Sequence, residues 1–519
     1  MNTETMMPMS LEEIAHAVGG TLVRVPQGVA TDRPVATGAV SDSRQATTGT
    51  VFVAIKGERV DGHAFLADVA AKGAACALVD HEVDAPLAQI VVSDTVDALG
   101  LLAKHNIARR RALGTPFSIV GITGSVGKTT TKDLLAALLG DMGPTVAPIG
   151  SFNNEIGLPL TALKVNAGTR FFVAEMGASH IGEIARLTTI APPDVAVVLK
   201  VGCAHLGEFG SVERIAQAKS EIVQGLLPGG VSVLNADDPH VAAMAALAPG
   251  AVRWFGVTDA VADVSGTTLT AGDITQDDTG RPRFTLSVTD TASTDDAVTD
   301  AAARHETTKT TSVTLGIRGR HNVMNALAAS SVALYFGMPL ARVAELLAAQ
   351  NHISAHRMAV STVSRGDATF TLIDDSFNAN PDSMRAGLDG LAAWHAGEDP
   401  QPFRIAVLGA MLELGGDEDR LHRDMGRYAV NVGADAVIAV GGVDPHLDEL
   451  AGALADGARQ ARGGTDAPSI DWAHTADEAD ALVMRLAADA HGREPVVLLK
   501  GSHASGLSAL ASRWAPAGV

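Results

Sequence analysis

The stretch of this 519-residue chain best equipped for chemistry is Gly121-Ile122-Thr123-Gly124-Ser125-Val126-Gly127-Lys128-Thr129-Thr130. The apolar run Phe117–Ile122 before it reads as a buried strand. Thr129–Leu139 after it reads as a helix with Leu134, Leu135, Leu138 and Leu139 on one stripe. A glycine-rich turn from strand to helix lets backbone N–H groups approach phosphate oxygens, and the helix N-terminus adds positive potential. In such a loop Lys128 reaches the β- and γ-phosphates, and the Thr129 hydroxyl ligates Mg²⁺. Gly124, Ser125, Val126, Gly127, Lys128, Thr129 and Thr130 are therefore the candidate nucleotide-phosphate site. Ile122 stands where the general pattern has its first glycine. A plain strand–helix turn is the alternative, but strand, glycines, Lys-Thr and helix in one register favour a phosphate ligand.

Other residues carry chemistry less plainly. Glu175 closes the apolar run Phe171–Ala174, and His205 follows the run Val195–Val201. Open α/β sheets bind ligands at the carboxyl ends of their strands, which draws both toward the phosphate loop. By spacing alone, Glu175 reads equally well as a solvated carboxylate and His205 reads better as a structural hydrogen bonder. Lys219 sits inside the predicted helix Val212–Val223, where a surface lysine is the simple reading. Asn322 is suited to cap its helix, which leaves Asn325 on the helix surface. Arg357 and Asp375 suit an interdomain ion pair, and Ser43-Arg44 suits a turn.

The elements that must position these groups alternate. Val51–Ile55 and Ala75–Val79 read as strands around a helical Phe65–Lys72. After Arg109-Arg110-Arg111 and Gly114-Thr115-Pro116, a plausible boundary, short strands alternate with helices, including Val231–Leu234 and Asn322–Phe336. The latter stops at Gly337 with Pro339 beyond. A third unit from Ser354 has strands Thr369–Ile373, Arg404–Leu408, Val437–Val440 and Val496–Leu499. The expectation is an α/β protein of three domains: 1–113, 114–353 and 354–519. The central one is a phosphate-loop parallel sheet, flanked by a small N-terminal α/β domain and a Rossmann-like C-terminal one. Arg283–Val288 reads as a further strand. Residues 289–311, rich in Asp, Thr and Ala, read as a mobile surface insertion.

Composition excludes several classes. A net charge of −20 argues against a nucleic-acid partner. The N-terminus has no signal-peptide pattern, no run approaches a membrane span, and two distant cysteines suit a reducing compartment, so a cytoplasmic protein is expected.

The loop form G-x-T-G-x-x-G-K-T-T resembles that of the Mur ligase family, and further segments resemble the family's D-alanyl-D-alanine-adding branch. These are Ser151-Phe152-Asn153-Asn154-Glu155, Ala174-Glu175-Met176-Gly177, His205 with Ala218-Lys219-Ser220-Glu221, Gly319-Arg320-His321-Asn322 with Asn325, and Asp374-Asp375-Ser376-Phe377-Asn378-Ala379-Asn380. Near the start, Ser41-Asp42-Ser43-Arg44 and Asp61-Gly62-His63 match the family's UDP-holding domain.

The resemblance implies an ATP-dependent ligase that joins D-alanyl-D-alanine to UDP-N-acetylmuramoyl-tripeptide through an acyl phosphate, as a monomer in cytoplasmic peptidoglycan synthesis. It implies Lys128, Glu175, His205 and Lys219 as catalytic residues. Asn154, Asn322, Asn325, Arg357 and Asp375 join the loop around ATP, and Ser43, Arg44, Gly62 and His63 hold UDP. It further implies two Mg²⁺ ions on Thr129, Glu175, His205 and a carbamylated Lys219. Phe377, Ala410 and His503 depart from the family's usual Tyr, Asp and Arg.

The rivals are a tripeptide-forming or folylpolyglutamate synthase-like ligase of the same fold, and a nucleotide-binding regulator without ligation. The Asn153-Asn154 and Asp375–Asn380 motifs favour the first reading over the other ligases. The extra N- and C-terminal units favour it over the regulator.

Overall fold

A computed structural model describes residues 5–57, 60–202, 206–291, 306–351, 353–463, 468–490 and 492–515. It contains three sheets. The first has five strands in the order Thr21–Val23, Gln89–Val91, Cys76–Val79, Thr50–Val53, Gly38–Val40, parallel except for the first. Its buried strands are solid apolar runs, as a sheet covered on both faces requires.

The central sheet has nine strands. Ser118–Thr123 lies between Phe171–Glu175 and Val195–Val198, all parallel. Phe171–Glu175 and Val195–Val198, which come later in the chain, thus fall on opposite sides of it, which opens a crevice at its carboxyl end. Thr145–Val146 closes one edge, while Val231–Asn235, Val252–Gly256 and Thr267–Gln276 extend the other.

Two antiparallel strands, Pro282–Thr291 and Glu306–Thr314, complete that edge, and they correct the reading of 289–311 as a mobile insertion. Residues 289–291 and 306–311 are paired strand, and 292–305 lie outside the described residues. Threonine is β-branched and suits a pleated edge that buries little. Here the Thr289 and Thr308 hydroxyls meet across the pair at 3.0 Å.

The third sheet runs Ala359–Arg365, Ala368–Asp375, Pro495–Lys500, Phe403–Gly409, Ala436–Val440, Ser469–Ala473, parallel after the first hairpin. Its register sets Asp375 directly opposite Lys500.

The boundary near Arg109–Arg111 is not a loose linker. These residues end the helix Thr95–Ala112, and Arg110 is 2% exposed. Its guanidinium donates to Thr169 O at 2.7 and 2.9 Å and to Pro116 O at 2.8 Å. One continuous apolar core runs from Met6 and Leu102 in the first unit to Ile119, Phe172 and Ile222 in the second. The third unit keeps its own cores on either side of its sheet.

Candidate active site

The phosphate loop follows Ser118–Thr123 and opens the helix Lys128–Met142. Gly127 has φ 83°, and a Cβ there would lie 2.3 Å from Asn325 Oδ1, so backbone and packing both demand glycine. Asn325 is held by Thr131 Oγ1, which donates to its Oδ1 at 3.3 Å, and its Nδ2 donates to Asn322 Oδ1 at 2.8 Å. Asn322 and Asn325 are therefore buried against the loop, neither capping a helix nor lying on its surface; His321 takes the cap position.

A single cleft of about 1000 Å³ gathers most of the expected nucleotide residues: Ser125 to Thr130, Asn154, Glu175, Asn322, Asn325, Arg357 and Asp375. Gly124 lies just behind its wall, where its carbonyl accepts from Lys128 Nζ at 2.7 Å. Burial lowers the Lys128 pKa, Glu175 opposes that shift and the Arg357 charge adds to it.

Glu175 is 1% exposed at the end of its strand. One carboxylate oxygen accepts from Asn153 Nδ2 at 2.7 Å and from Thr129 Oγ1 at 3.4 Å. The other, Oε2, is buried and finds no donor among the described residues. An orphaned anionic oxygen beside a threonine hydroxyl is a hard oxygen donor set, which suits Mg²⁺.

Lys219 is 2% exposed in the helix Val212–Gln224. Burial, with the Lys128 charge, brings its pKa down to about 7, so it is no surface lysine. It does not line the cleft itself. His205 lies outside the described residues.

From the third unit, Arg357 stacks on Phe377 at 4.5 Å, and Asp375 pairs with Lys500 at 2.8 Å. Among the described residues, neither forms the interdomain ion pair that their residue types suggest. Lys500, 1% exposed, also donates to Asn378 O at 2.7 Å and Asp375 O at 3.3 Å. All three of its N–H groups are thereby engaged, and Asp375 is fixed at the cleft. Burial lowers the Lys500 pKa, against the pull of Asp375.

A second cleft of about 600 Å³ adjoins the first through Phe377, Asn378 and Asn380. Leu412, Glu413, Ser502, His503 and Ala504 complete it. Glu413 has φ 64°, and the Ser502 hydroxyl is buried without a partner among the described residues. Two of the three departures from the family pattern, Phe377 and His503, meet here. Ala410 lies behind, its carbonyl accepting from Ser502 N at 2.9 Å.

The expected UDP residues cluster elsewhere, past the carboxyl ends of the first sheet's parallel strands. Arg44 grips Asp42 through two oxygens, which holds the Asp42 carboxyl down at about 2. Lys72 Nζ donates to Ser43 O at 2.9 Å. His63 is buried, bonded to Asp61 at 2.7 Å, accepts from Asp80 N at 3.2 Å and stacks on His81. Gly62 is demanded by packing, since a Cβ would come within 2.8 Å of Ile55 N.

Sequence reading missed Asn153, Lys500 and Ser502 as parts of the site. Their signal was position: each follows or closes an apolar strand, or adjoins a residue already singled out.

Family models match three stretches: Mur ligase family, catalytic domain, at residues 37–106; Mur ligase middle domain at 122–333; and Mur ligase, glutamate ligase domain, at 356–503. A UDP-N-acetylmuramoyl-tripeptide–D-alanyl-D-alanine ligase of Mycobacterium tuberculosis is 42% identical, over 98% of this chain and 97% of its own. The crystal structure of MurF from Acinetobacter baumannii is similar with TM-score 0.78 and 30% identity, covering 98% of this chain and 99% of that one. MurF of Thermotoga maritima, solved in complex with ADP, is similar with TM-score 0.69 and 26% identity, covering 92% and 96%.

Proposed function

Since the chain belongs to the Mur ligase family, we propose that it joins D-alanyl-D-alanine to UDP-N-acetylmuramoyl-tripeptide, converting ATP to ADP and phosphate. The observation that carries this reading is the cleft built from both sides: a phosphate loop with an orphaned Glu175 oxygen on one wall, and Arg357 and Asp375 on the other.

Residues 1–113 bind the UDP end of the substrate through Ser43, Arg44, Gly62 and His63. Residues 114–353 bind ATP, and residues 354–519 bind the incoming dipeptide. Lys128 moves off the Gly124 carbonyl onto the β- and γ-phosphates. Thr129 and Glu175 would hold one Mg²⁺, which would supply charge neutralisation to the phosphates. A second ion would be held by His205 and a carbamylated Lys219. Carbamylation needs a neutral amine, and a buried lysine titrating near 7 provides one at ordinary pH.

Phosphoryl transfer to the tripeptide's terminal carboxylate gives an acyl phosphate. The dipeptide amine attacks its carbonyl carbon, the C–N bond forms, and phosphate leaves from the tetrahedral intermediate. Arg357 and Asp375 cover the site from the third unit and exclude the water that would hydrolyse the acyl phosphate.

The second cleft suits a small zwitterion. Glu413, His503 and Ser502 give it polar groups suited to an ammonium and a carboxylate, and Phe377 and Leu412 give apolar surface suited to methyl groups. The protein works as a monomer in the cytoplasm; no helix among the described residues is long and apolar enough to cross a membrane.

The test is incubation with ATP, Mg²⁺, D-alanyl-D-alanine and UDP-N-acetylmuramoyl-tripeptide, with product read by mass spectrometry. A pentapeptide product is expected, and Lys128→Ala is expected to cut its rate by about 10²–10³ while leaving a folded protein. No product from wild type, or normal turnover by Lys128→Ala, overturns the reading.

A further inference from the structure

Lys132 sits one turn beyond Lys128 on the phosphate-loop helix, and it is 2% exposed. Leu135 and Leu139, three and seven positions on along the same helix face, are buried too, so packing alone would be met by another apolar residue. Burying an ammonium is costly unless its donors are taken up. Here they are: Nζ donates to Pro148 O at 2.9 Å, to Gly150 O at 3.1 Å and to Ser354 Oγ at 3.1 Å, and it pairs with Asp133 at 2.6 Å. The other Asp133 oxygen accepts from Ser354 N at 2.8 Å.

These contacts join three segments. One is the helix that carries Lys128 and Thr129. The second, residues 148–150, leads into the loop whose Asn153 holds Glu175. The third starts at Ser354 and carries Arg357 to the cleft. This last segment has φ 61° at His356 and φ 51° at Met358, conformations that side-chain-bearing residues adopt only under outside constraint.

We propose that Lys132 and Asp133 are positioning residues, a buried clasp that registers the third unit's Arg357 and the Asn153–Glu175 pair against the phosphate loop. The clasp touches no substrate. It sets the pivot from which the third unit meets the nucleotide, and it rests on the nucleotide reading of the cleft.

The test uses the full chain with Lys132→Met, Lys132→Arg, Ser354→Ala and the Lys132→Met/Ser354→Ala double variant. Lys132→Met is expected to lower kcat by about tenfold or more, since small misplacement of a positioning group is costly. The KM for the UDP-tripeptide should stay within about twofold, because that end is held on another unit. Lys132→Arg should recover part of kcat. The double variant should be no slower than Lys132→Met alone, since both cut the same link. Ser354→Ala removes one hydroxyl and keeps its N–H; it should lower kcat about threefold with an unchanged melting temperature, which keeps the test open if Lys132→Met fails to fold.

Wild-type kcat in folded Lys132→Met, or in Ser354→Ala, overturns the clasp, as does full additivity in the double variant. If wild type itself makes no product, the functional reading fails separately. The clasp is then read from a fluorescent ATP analogue, whose affinity should fall in Lys132→Met and whose unchanged affinity would overturn it.

Discussion

The two seams between the three units are built differently. The first and central units share one apolar core, threaded by the helix Thr95–Ala112 and pinned by the buried Arg110. The central and third units meet through separate polar points. Gly207 N donates to Glu413 O at 3.0 Å, His395 N donates to Asp278 O at 2.8 Å, Lys200 pairs with Asp382 at 3.2 Å, and Lys132 reaches Ser354. An apolar seam resists sliding because every displacement exposes area or opens voids. A polar seam of a few bonds exchanges its partners for water at small net cost. The difference teaches that the first and central units form one stiff body, and that adjustment belongs to the third unit, whose residues complete the cleft.

The sharpest way to break this comparison is inside the first seam. Leu102 is 0% exposed in the shared core, and Leu102→Ala should cost about 2–5 kcal/mol of stability. Thermal unfolding checks it, and first and central units should still unfold together. A loss confined to the first unit, with the central unit's transition unmoved, would show two bodies rather than one.

The next effect is read by pH, on the helix Val212–Gln224, whose Ile215 and Ile222 belong to that same core. Unmodified Lys219 titrates near 7 in the folded protein and near 10.5 when unfolded. Below pH 7 both states hold the proton and the burial cost is carried in full. Between those values the unfolded state binds more protons, so stability rises with pH, by up to about 1.4 kcal/mol per unit. In buffer free of carbon dioxide, wild type should gain melting temperature over Lys219→Met from about pH 7 to about pH 9. A constant difference between the two would place Lys219 in a wetter setting. With bicarbonate the carbamate should form, and the mass of one carbon dioxide on Lys219 would confirm it.

The smallest effect belongs to the polar seam. Lys200 and Asp382 are both about two-fifths exposed. Lys200→Ala should change stability by about 1 kcal/mol or less. A much larger loss would mean that the seam is stiffer than its contacts suggest.

The sequence displayed the phosphate loop because its chemistry is local: strand, glycines, Lys128 and helix lie within a dozen positions. Asn322 and Asn325 were legible only by resemblance, since nothing nearby in sequence says that they face Gly127. Lys132 and Lys500 were not read because the partners that place them at the site, Ser354 and Asp375, lie more than a hundred residues away. The edge hairpin misled for the opposite reason. Its Asp and Thr composition matches a solvated insertion, whereas β-branched threonines on an edge strand need little apolar cover. His205 and residues 292–305 lie outside the described residues.

The most direct measurement of the central claim, that this cleft activates a carboxylate by phosphoryl transfer, is to trace heavy oxygen. UDP-N-acetylmuramoyl-tripeptide labelled in its terminal carboxylate is incubated with ATP, Mg²⁺ and D-alanyl-D-alanine, and the released phosphate is analysed by mass spectrometry. One labelled oxygen should appear in the phosphate for each amide bond formed. Product formation with unlabelled phosphate would contradict the account.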